Sequence, residues 1–377
     1  MKVCHSPTPQ GEKHTDKELT RLWNSIDWEK TEFIVNRLQT RIAKATHAGK
    51  WNLVKRLSYL LTHSFSAKLL AVRSVTQNKG KRTPGVDGVL WTSASDKMRA
   101  ALSLTDRQYH AQPLRRIYIP KPGKTTKRPI SIPTMHDRAM QALYALALQP
   151  IAETTADARS FGFRLFRSAQ DASEYAFTCL AKKTSAQWIL EGDIRGCFDN
   201  IAHDWLMEHI PMDRSILAQF LKAGYIFEDR LFPTDRGTPQ GGTISPLLAN
   251  MTLDGIEELL AAKFPRMKVH FIRYADDFLV TAPTKEIAEE ARDIIQEFLA
   301  ERGLELSMEK TVITHIDEGF DFLGYNFRKY TGKLLIKPSR KSIETVTEKI
   351  GRTVKKAQAW TQDALIKALN PIIRGWT

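Results

Sequence analysis

Asp276 and Asp277 stand side by side between two short apolar runs, His270–Arg273 and Phe278–Ala282, and Asp193 closes a third, Gln187–Ile194, about eighty residues earlier. If the three runs are neighbouring strands of one sheet, the three carboxylates converge within a few ångströms. Acids held that close repel one another, so without a cation at least one should titrate high and the site should be destabilised. A cation resolves the conflict. Oxygen donors with no His or Cys beside them favour Mg²⁺, and two such ions about 3.5–4 Å apart stabilise both the attacking and the leaving oxygen of a phosphoryl or nucleotidyl transfer. An Asp-Asp pair in a turn is by itself ordinary solvated hairpin chemistry; its weight here comes from the combination with Asp193.

The elements around these acids have a recognisable order. In Gln187–Ile194, Trp188, Leu190 and Gly192 alternate with Ile189, Glu191 and Asp193, as a half-buried strand requires. A helix through Trp205 and Leu206 follows, then a second from Ser245 to Phe264, then the hairpin that carries Tyr274-Ala-Asp-Asp277. Thr284 opens another helix with Ile287, Ala291, Ile294, Ile295 and Phe298 on one face, closed by Gly303, and Thr311–His315 reads as a last strand. Strand, helices, strand, strand, helix, strand is the order of the ferredoxin-like split unit.

Upstream, Ile34, Leu38 and Ile42 recur at helical spacing, as do Leu53, Leu57, Leu60, Leu61 and Leu69, so the amino-terminal region is helical. Basic residues such as Arg37, Arg41, Lys55 and Arg56 lie between the stripes with Trp23, Trp28, Trp51 and Phe65, a pattern suited to phosphate contact and base packing. The loop Asn78–Gly88 has three glycines and one proline, which exclude regular structure, and Lys79, Lys81 and Arg82 give it the charge to lie against a nucleic-acid backbone. Pro113–Pro129 reads as a strand, a Gly-containing turn and a second strand running through Ile130 and Ile132: a basic hairpin. Thr134, with Asp137 three residues on, caps the helix that follows.

Charge sharpens the picture. Of 377 residues, 56 are Lys or Arg and 42 Asp or Glu, a net +14. Residues 1–130 hold 25 basic and 9 acidic residues, residues 131–337 hold 23 and 30, and residues 338–377 hold 8 and 3. Basic flanks around an acidic centre suit a polyanion gripped at both ends and a metal site between. The length supports two or three packed units. Cys4, Cys179 and Cys197 lie far apart, with no Cys-x-x-Cys pattern, which argues for reduced thiols and against structural zinc. The first ten residues lack an apolar core, and the longest apolar stretch, Ala139 to Ala152, is broken by Gln141 and Gln149. No signal peptide or spanning helix is expected, hence no membrane partner and a cytoplasmic location.

Together these residues resemble the bacterial group II intron-encoded reverse transcriptase/maturase family. Asn78–Gly88 is similar to its amino-terminal block ending in TPGVDG, Ile117–Pro133 to its IPK…RP…IP fingers block, and Ser160-Phe-Gly-Phe-Arg164 to its S-Y-G-F-R block. Gly192–Asp199 resembles the first metal-binding block, Gly237–Pro246 the nucleotide-side block, Tyr274–Asp277 the second metal-binding block, and Gly303–Lys310 and Phe320–Tyr325 the next two. The resemblance covers roughly residues 70–330. It implies an α+β right-hand polymerase: a basic helical extension at 1–70, helical and β fingers at 71–185, a ferredoxin-like palm at 186–337 and the start of a helical thumb at 338–377.

Carried over residue by residue, it implies that Asp193, Asp276 and Asp277 are catalytic and hold two Mg²⁺ ions, the Ile194 carbonyl adding a ligand. Lys121 and Arg128 would lie over the dNTP triphosphate; one extra residue separates them relative to the family, so Lys124 competes for the first role. Phe198 would bar a ribose 2′-OH, or anchor the following helix as a core residue. Gln240 would meet the nucleotide sugar or base. Lys310 would serve as general acid toward pyrophosphate, or stand as an exposed strand-edge lysine. Tyr274 would pack under the primer terminus, or in the core. Lys79, Lys81, Arg82 and Arg164 would contact primer or template.

Lys341, Lys349, Arg352, Lys355 and Lys356 mark a basic helix like the start of the family's thumb. The chain stops at Thr377 inside a block that continues in the family, so an incomplete thumb is expected, without an HNH-like endonuclease region. The implied function is RNA-directed DNA synthesis, with intron RNA bound as a splicing maturase, RNA template and primer as substrates and a DNA target as a further partner. The competing readings are a CRISPR-associated or other bacterial reverse transcriptase without maturase role, a nucleotidyl cyclase, and an inactive RNA-binding scaffold. The cyclase does not need the basic fingers, and a pure RNA binder gains nothing from clustered acids.

Overall fold

The computed structural model describes residues 14–120 and 127–376. The chain forms two compact units: Met1–Ala156 with Gly196–Asp254 and Glu301–Leu304, and Asp157–Arg195 with Gly255–Ala300 and Glu305–Thr377. Neither is one stretch of sequence, so the contiguous divisions at residues 70, 185 and 337 do not coincide with the packing. The reason is topological. A split strand-helix-strand fold draws its strands from distant segments, and the chain between them packs elsewhere.

In the first unit, helices Asp16–Asn24, Trp28–His47, Trp51–His63, Phe65–Gln77, Ala94–Ser103 and Met135–Thr155 form a bundle. The expected stripes are helical, but their inward face is turned: Val35, Ile42, Leu57, Leu61 and Leu69 are buried, whereas Ile34 and Leu60 face solvent. The helix Met135–Thr155 is capped as its sequence foretells, the Thr134 hydroxyl accepting from the Asp137 amide at 3.1 Å. The basic hairpin is present as β1 (Leu114–Pro120) and β2 (Lys127–Ile132), antiparallel, with Ile117 opposite Ile130 and Ile119 opposite Arg128. Short helices Cys197–Asn200, His203–His209, Arg214–Lys222 and Ser245–Leu253 also belong to this unit.

The second unit holds β3 (Trp188–Asp193). After it in sequence come β4 (Tyr225–Phe227) and β5 (Arg230–Phe232), which complete the first unit's sheet in the order β2-β1-β4-β5. β6 (His270–Tyr274), β7 (Asp277–Ala282) and β8 (Val312–His315) join β3 in an antiparallel sheet of order β6-β7-β3-β8. With helices Ile256–Lys263 and Lys285–Ala300 between the strands, this is the ferredoxin-like arrangement. Ile189, Ile272 and Leu279 bury one face of the sheet against Ala172, Ala176 and Leu180 of helix Ala169–Leu180. Each such isoleucine or leucine side chain contributes about 1.5–3 kcal/mol.

Two expectations need correction. The helix expected from Ser245 to Phe264 is two, because Gly255 adopts φ +108 and its amide donates to the buried Asp157 carboxylate at 3.0 Å, ending one helix and starting the next. Nor is β8 the last strand. β9 (Phe320–Phe322), β10 (Tyr325–Tyr330) and β11 (Lys333–Pro338) form a further sheet, with Phe320 and Phe327 stacked at 5.1 Å. Helices Arg340–Lys356 and Gln362–Arg374 follow and bury no side chain fully. Among the described residues no helix is long and apolar enough to cross a membrane.

Candidate active site

Asp193 ends β3 and Asp277 begins β7, and the register makes them direct cross-strand partners. Such partners lie about 4.5–5.5 Å apart at Cα, so two of the three acids leave the sheet from one point. Asp276 precedes Asp277 in the turn; Asp277 itself is the first strand residue rather than a turn residue. The turn is tight, with Ala275 in the left-handed region at φ +60.

Glycine next to Asp193 is a steric necessity. A Cβ on Gly192 would stand 2.0 Å from Cζ of Phe278, whose buried ring lies across that point of β3. A second glycine works at the turn that carries the acids. A Cβ on Gly162 would sit 2.3 Å from the Ala275 amide nitrogen, and the Phe161 amide donates to the Arg273 carbonyl at 2.8 Å. The Ser160–Arg164 segment is therefore laid along β6 and against the turn that carries the acids.

The electrostatics are those of an anionic cluster held by lysines. Asp277 remains open to solvent at the start of its strand, yet its pKa is pushed up to about 6. Loss of water to surrounding protein atoms is the larger cause, followed by repulsion from Asp276 and Asp193; Lys310 and Lys341 pull the other way. Lys310 donates from Nζ to Asp193 Oδ1 at 2.7 Å, and its segment is fixed by the Ser307 amide donating to the Asp193 carbonyl at 2.8 Å. Lys310 is thus a partner of an acid, not a free strand-edge lysine. Ile194 is buried and bridged to Leu306. Two residues before Asp193, Glu191 is pushed up to about 7, mainly by burial and then by Asp321.

Oxygen donors that raise one another's proton affinity suit a hard divalent cation. Among the described residues no three His, Cys, Asp or Glu side chains already form a metal cage. The acids make an open cluster with Lys310 standing as counter-ion on Asp193.

The residues expected on the nucleotide side gather within the first unit. Phe198 is half-buried in the short helix Cys197–Asn200, and its carbonyl accepts from the Thr238 amide at 2.6 Å. Gln240 Nε2 donates to Asp199 Oδ2 at 3.1 Å, and the Gln240 carbonyl accepts from the Ser131 amide of β2 at 2.7 Å, three residues from exposed Arg128. Glycines permit these approaches: a Cβ on Gly237 would meet the Asp199 backbone at 2.6 Å, and one on Gly241 the Ser131 carbonyl at 2.6 Å. Lys121 and Lys124 lie outside the described residues. Lys79, Lys81 and Arg82 are exposed on a single 3-10 turn, Lys79–Arg82, so the loop is more regular than its glycines suggest. Buried Arg138 fixes it, donating to the carbonyls of Gly80 and Thr83 at 3.1 and 2.6 Å.

Two expected nucleic-acid contacts look inward instead. Arg164 is buried, its Nη1 donating to the Asp157 carbonyl at 2.9 Å, because the loop around it turns back on itself and needs its carbonyls satisfied. Tyr274 packs against the core of its unit, which favours its packing reading. Sequence reasoning missed Arg273, which is 0 % exposed in β6 and reaches the Ala275 carbonyl at 3.4 Å. An arginine in a strand edge gives no sign of burial; its compensating acid, Asp157, is more than a hundred residues away. Lys341 was legible only as part of a basic helix, not as a neighbour of Asp277.

Residues 119–327 match the family described as reverse transcriptase (RNA-dependent DNA polymerase), residues 23–104 the N-terminal domain of reverse transcriptase, and residues 343–377 the group II intron maturase-specific domain. The chain is 31% identical to protein YkfC of Escherichia coli K12 over 341 residues, covering 78% of this chain and 88% of that protein. It is 30% identical to the group II intron-encoded protein LtrA of Lactococcus lactis subsp. cremoris over 328 residues, 69% of this chain but 54% of LtrA, so it spans about half the length of that relative. A solved structure of telomerase from Candida albicans aligns with a TM-score of 0.46 at 16% identity, over 72% of this chain and 56% of the other. The acids of β3 and β7 lie within the matched reverse transcriptase region, with the maturase-specific segment downstream, and the chain belongs to the reverse transcriptase family.

Proposed function

We propose that this chain copies RNA into DNA at the Asp193, Asp276 and Asp277 cluster, and that its basic surfaces also bind a group II intron RNA as a maturase. The pairing of Asp193 with Asp277 across β3 and β7, with Lys310 on Asp193, carries the reading. Family membership and the maturase-specific segment support it.

Asp193, Asp276 and Asp277, with the Ile194 carbonyl, would hold two Mg²⁺ ions. When bound, such ions activate the primer 3′-OH and neutralise the charge that develops on pyrophosphate. The protein's own contribution is placement. Gly192 lets β3 close on β7 over the Phe278 ring, and Gly162 lets the Ser160 segment close on the Ala275 turn, which fixes where the carboxylates start; accurate positioning of the two reactants supplies much of the rate. The new bond forms between the primer 3′ oxygen and the α-phosphorus of the dNTP, the 3′-OH proton leaving to solvent water, and the bond from that phosphorus to the pyrophosphate oxygen breaks. Lys310 would give its proton to the departing pyrophosphate. Arg128 would hold the triphosphate through its planar fork, with Lys121 or Lys124 beside it; Phe198 would exclude a 2′-OH and Gln240 would contact the sugar or base. Lys79, Lys81 and Arg82 would lie on the nucleic-acid backbone. A DNA target is proposed as a partner on the same grounds.

The test is primer extension on an RNA template with dNTPs, with and without Mg²⁺, beside a binding assay on structured intron RNA. Mg²⁺-dependent DNA products and intron RNA affinity above that for an unrelated RNA of equal length support the proposal. No incorporation removes its polymerase half, and equal RNA affinities remove its maturase half.

A further inference from the structure

Immediately after the Gly162 contact with the Ala275 turn, the chain sends three apolar side chains outward in the same unit. Phe163 is 59 % exposed, Leu165 54 % and Phe166 100 %. Phe163 and Phe166 both take left-handed backbone, at φ +59 and +58, a strained conformation for a bulky side chain. The loop is also tied down: Arg164 donates to the Asp157 carbonyl at 2.9 Å, and Arg167 donates to the carbonyls of Ala158 and Ser160 at 2.6 and 2.8 Å. A fixed loop that spends strain to hold a phenylalanine in water is built to meet something.

Its surroundings say what. The loop abuts the catalytic turn through Gly162, and exposed Arg159 flanks it, a cation suited to phosphates. A bare aromatic ring offers an open face to a base, and only an unpaired base has a free face to give in return, since bases inside a duplex are already stacked on both sides. On the polymerase reading above, the unpaired nucleotides near the acids are those of the template not yet copied. We infer that Phe166, backed by Leu165 and Phe163, is a stacking platform for an unpaired template base, and so a positioning residue for the template rather than a catalytic one.

The experiment is equilibrium binding of the 377-residue chain, without dNTP, to two RNA–DNA duplexes: one blunt, one carrying about six unpaired template nucleotides. The wild-type protein binds the overhang duplex more tightly. Phe166→Ala reduces that preference about tenfold and leaves blunt-duplex affinity within about twofold, while Phe166→Trp keeps it. Phe166→Asn, which suits left-handed backbone, keeps the fold by thermal melting and loses the preference as the alanine variant does. A preference that survives Phe166→Ala or Phe166→Asn overturns the inference, as does an equal loss on both duplexes or no preference in the wild type. Because no nucleotide is added, a failure of DNA synthesis is read separately, by primer extension with the wild-type chain.

Discussion

Gly192 and Phe278 are locked together: no side chain larger than hydrogen fits at 192 while the ring of Phe278 lies where it does, because a Cβ there would be 2.0 Å from Cζ. They are also cross-strand partners, one step from the Asp193 and Asp277 pair. Gly192→Ala must therefore push β3 from β7 or turn the buried ring. The expected result is a stability loss of about 1–3 kcal/mol in denaturant melts and a fall in dNTP incorporation of about a hundredfold or more, since small displacements of reacting groups are expensive. Full activity in this variant would show that the spacing of the two strands does not position the acids.

Burial and the neighbouring acids push the Asp277 carboxyl up to about 6, so protons and divalent cations compete for it close to neutral pH. Below that value the Mg²⁺ concentration giving half-maximal incorporation should rise about tenfold per pH unit, and above it become flat. Lys310→Gln removes a cation that lowers the Asp277 pKa, so the break point should move to higher pH. A Mg²⁺ requirement that does not change between pH 5 and 7.5 contradicts this.

Glu191 offers a cleaner measure of stability. Its folded pKa of about 7 lies above the ordinary glutamate value of 4.5. A raised acid favours the folded state fully below the unfolded pKa, and that contribution is lost as pH rises from about 4.5 through 7. Glu191→Gln should leave stability near wild type at pH 5 and exceed it at pH 8 by on the order of 3 kcal/mol. Equal differences at the two pH values in paired denaturant melts would mean that the carboxylate is not desolvated.

The Phe198 backbone is held through its carbonyl by Thr238, so shortening the side chain leaves the local chain path intact. Phe198→Ala should raise the use of rNTPs relative to dNTPs by on the order of 10–100-fold in single-nucleotide incorporation. Unchanged sugar selection would return Phe198 to a packing role.

How much of this could be read from the sequence depends on whether the signal is local. The strands Trp188–Asp193, His270–Tyr274, Asp277–Ala282 and Val312–His315 were visible within a residue or two, because apolar periodicity and flanking turn residues suffice to mark them. The break at Gly255 was not: Leu253, Ile256 and Leu260 are apolar across it, and only a backbone angle and the distant Asp157 carboxylate divide the helices. The acids announced themselves by adjacency. Arg164 and Arg273, two buried arginines, did not, since burial of a charge depends on carbonyls and carboxylates brought in by the fold. The exposure of Phe166 was hidden for the converse reason: an aromatic beside Leu165 reads as core until the loop's path is known.

The most direct test of the central claim compares Asp193→Asn and Asp277→Asn with the wild-type chain in Mg²⁺-dependent dNTP incorporation on an RNA template, with template-primer affinity measured alongside. If these paired residues form the centre of a DNA-synthesising site, each substitution lowers incorporation by at least about a thousandfold while affinity is kept or improved, because a negative charge facing phosphate has been removed. Incorporation at the wild-type rate in either variant would contradict the account.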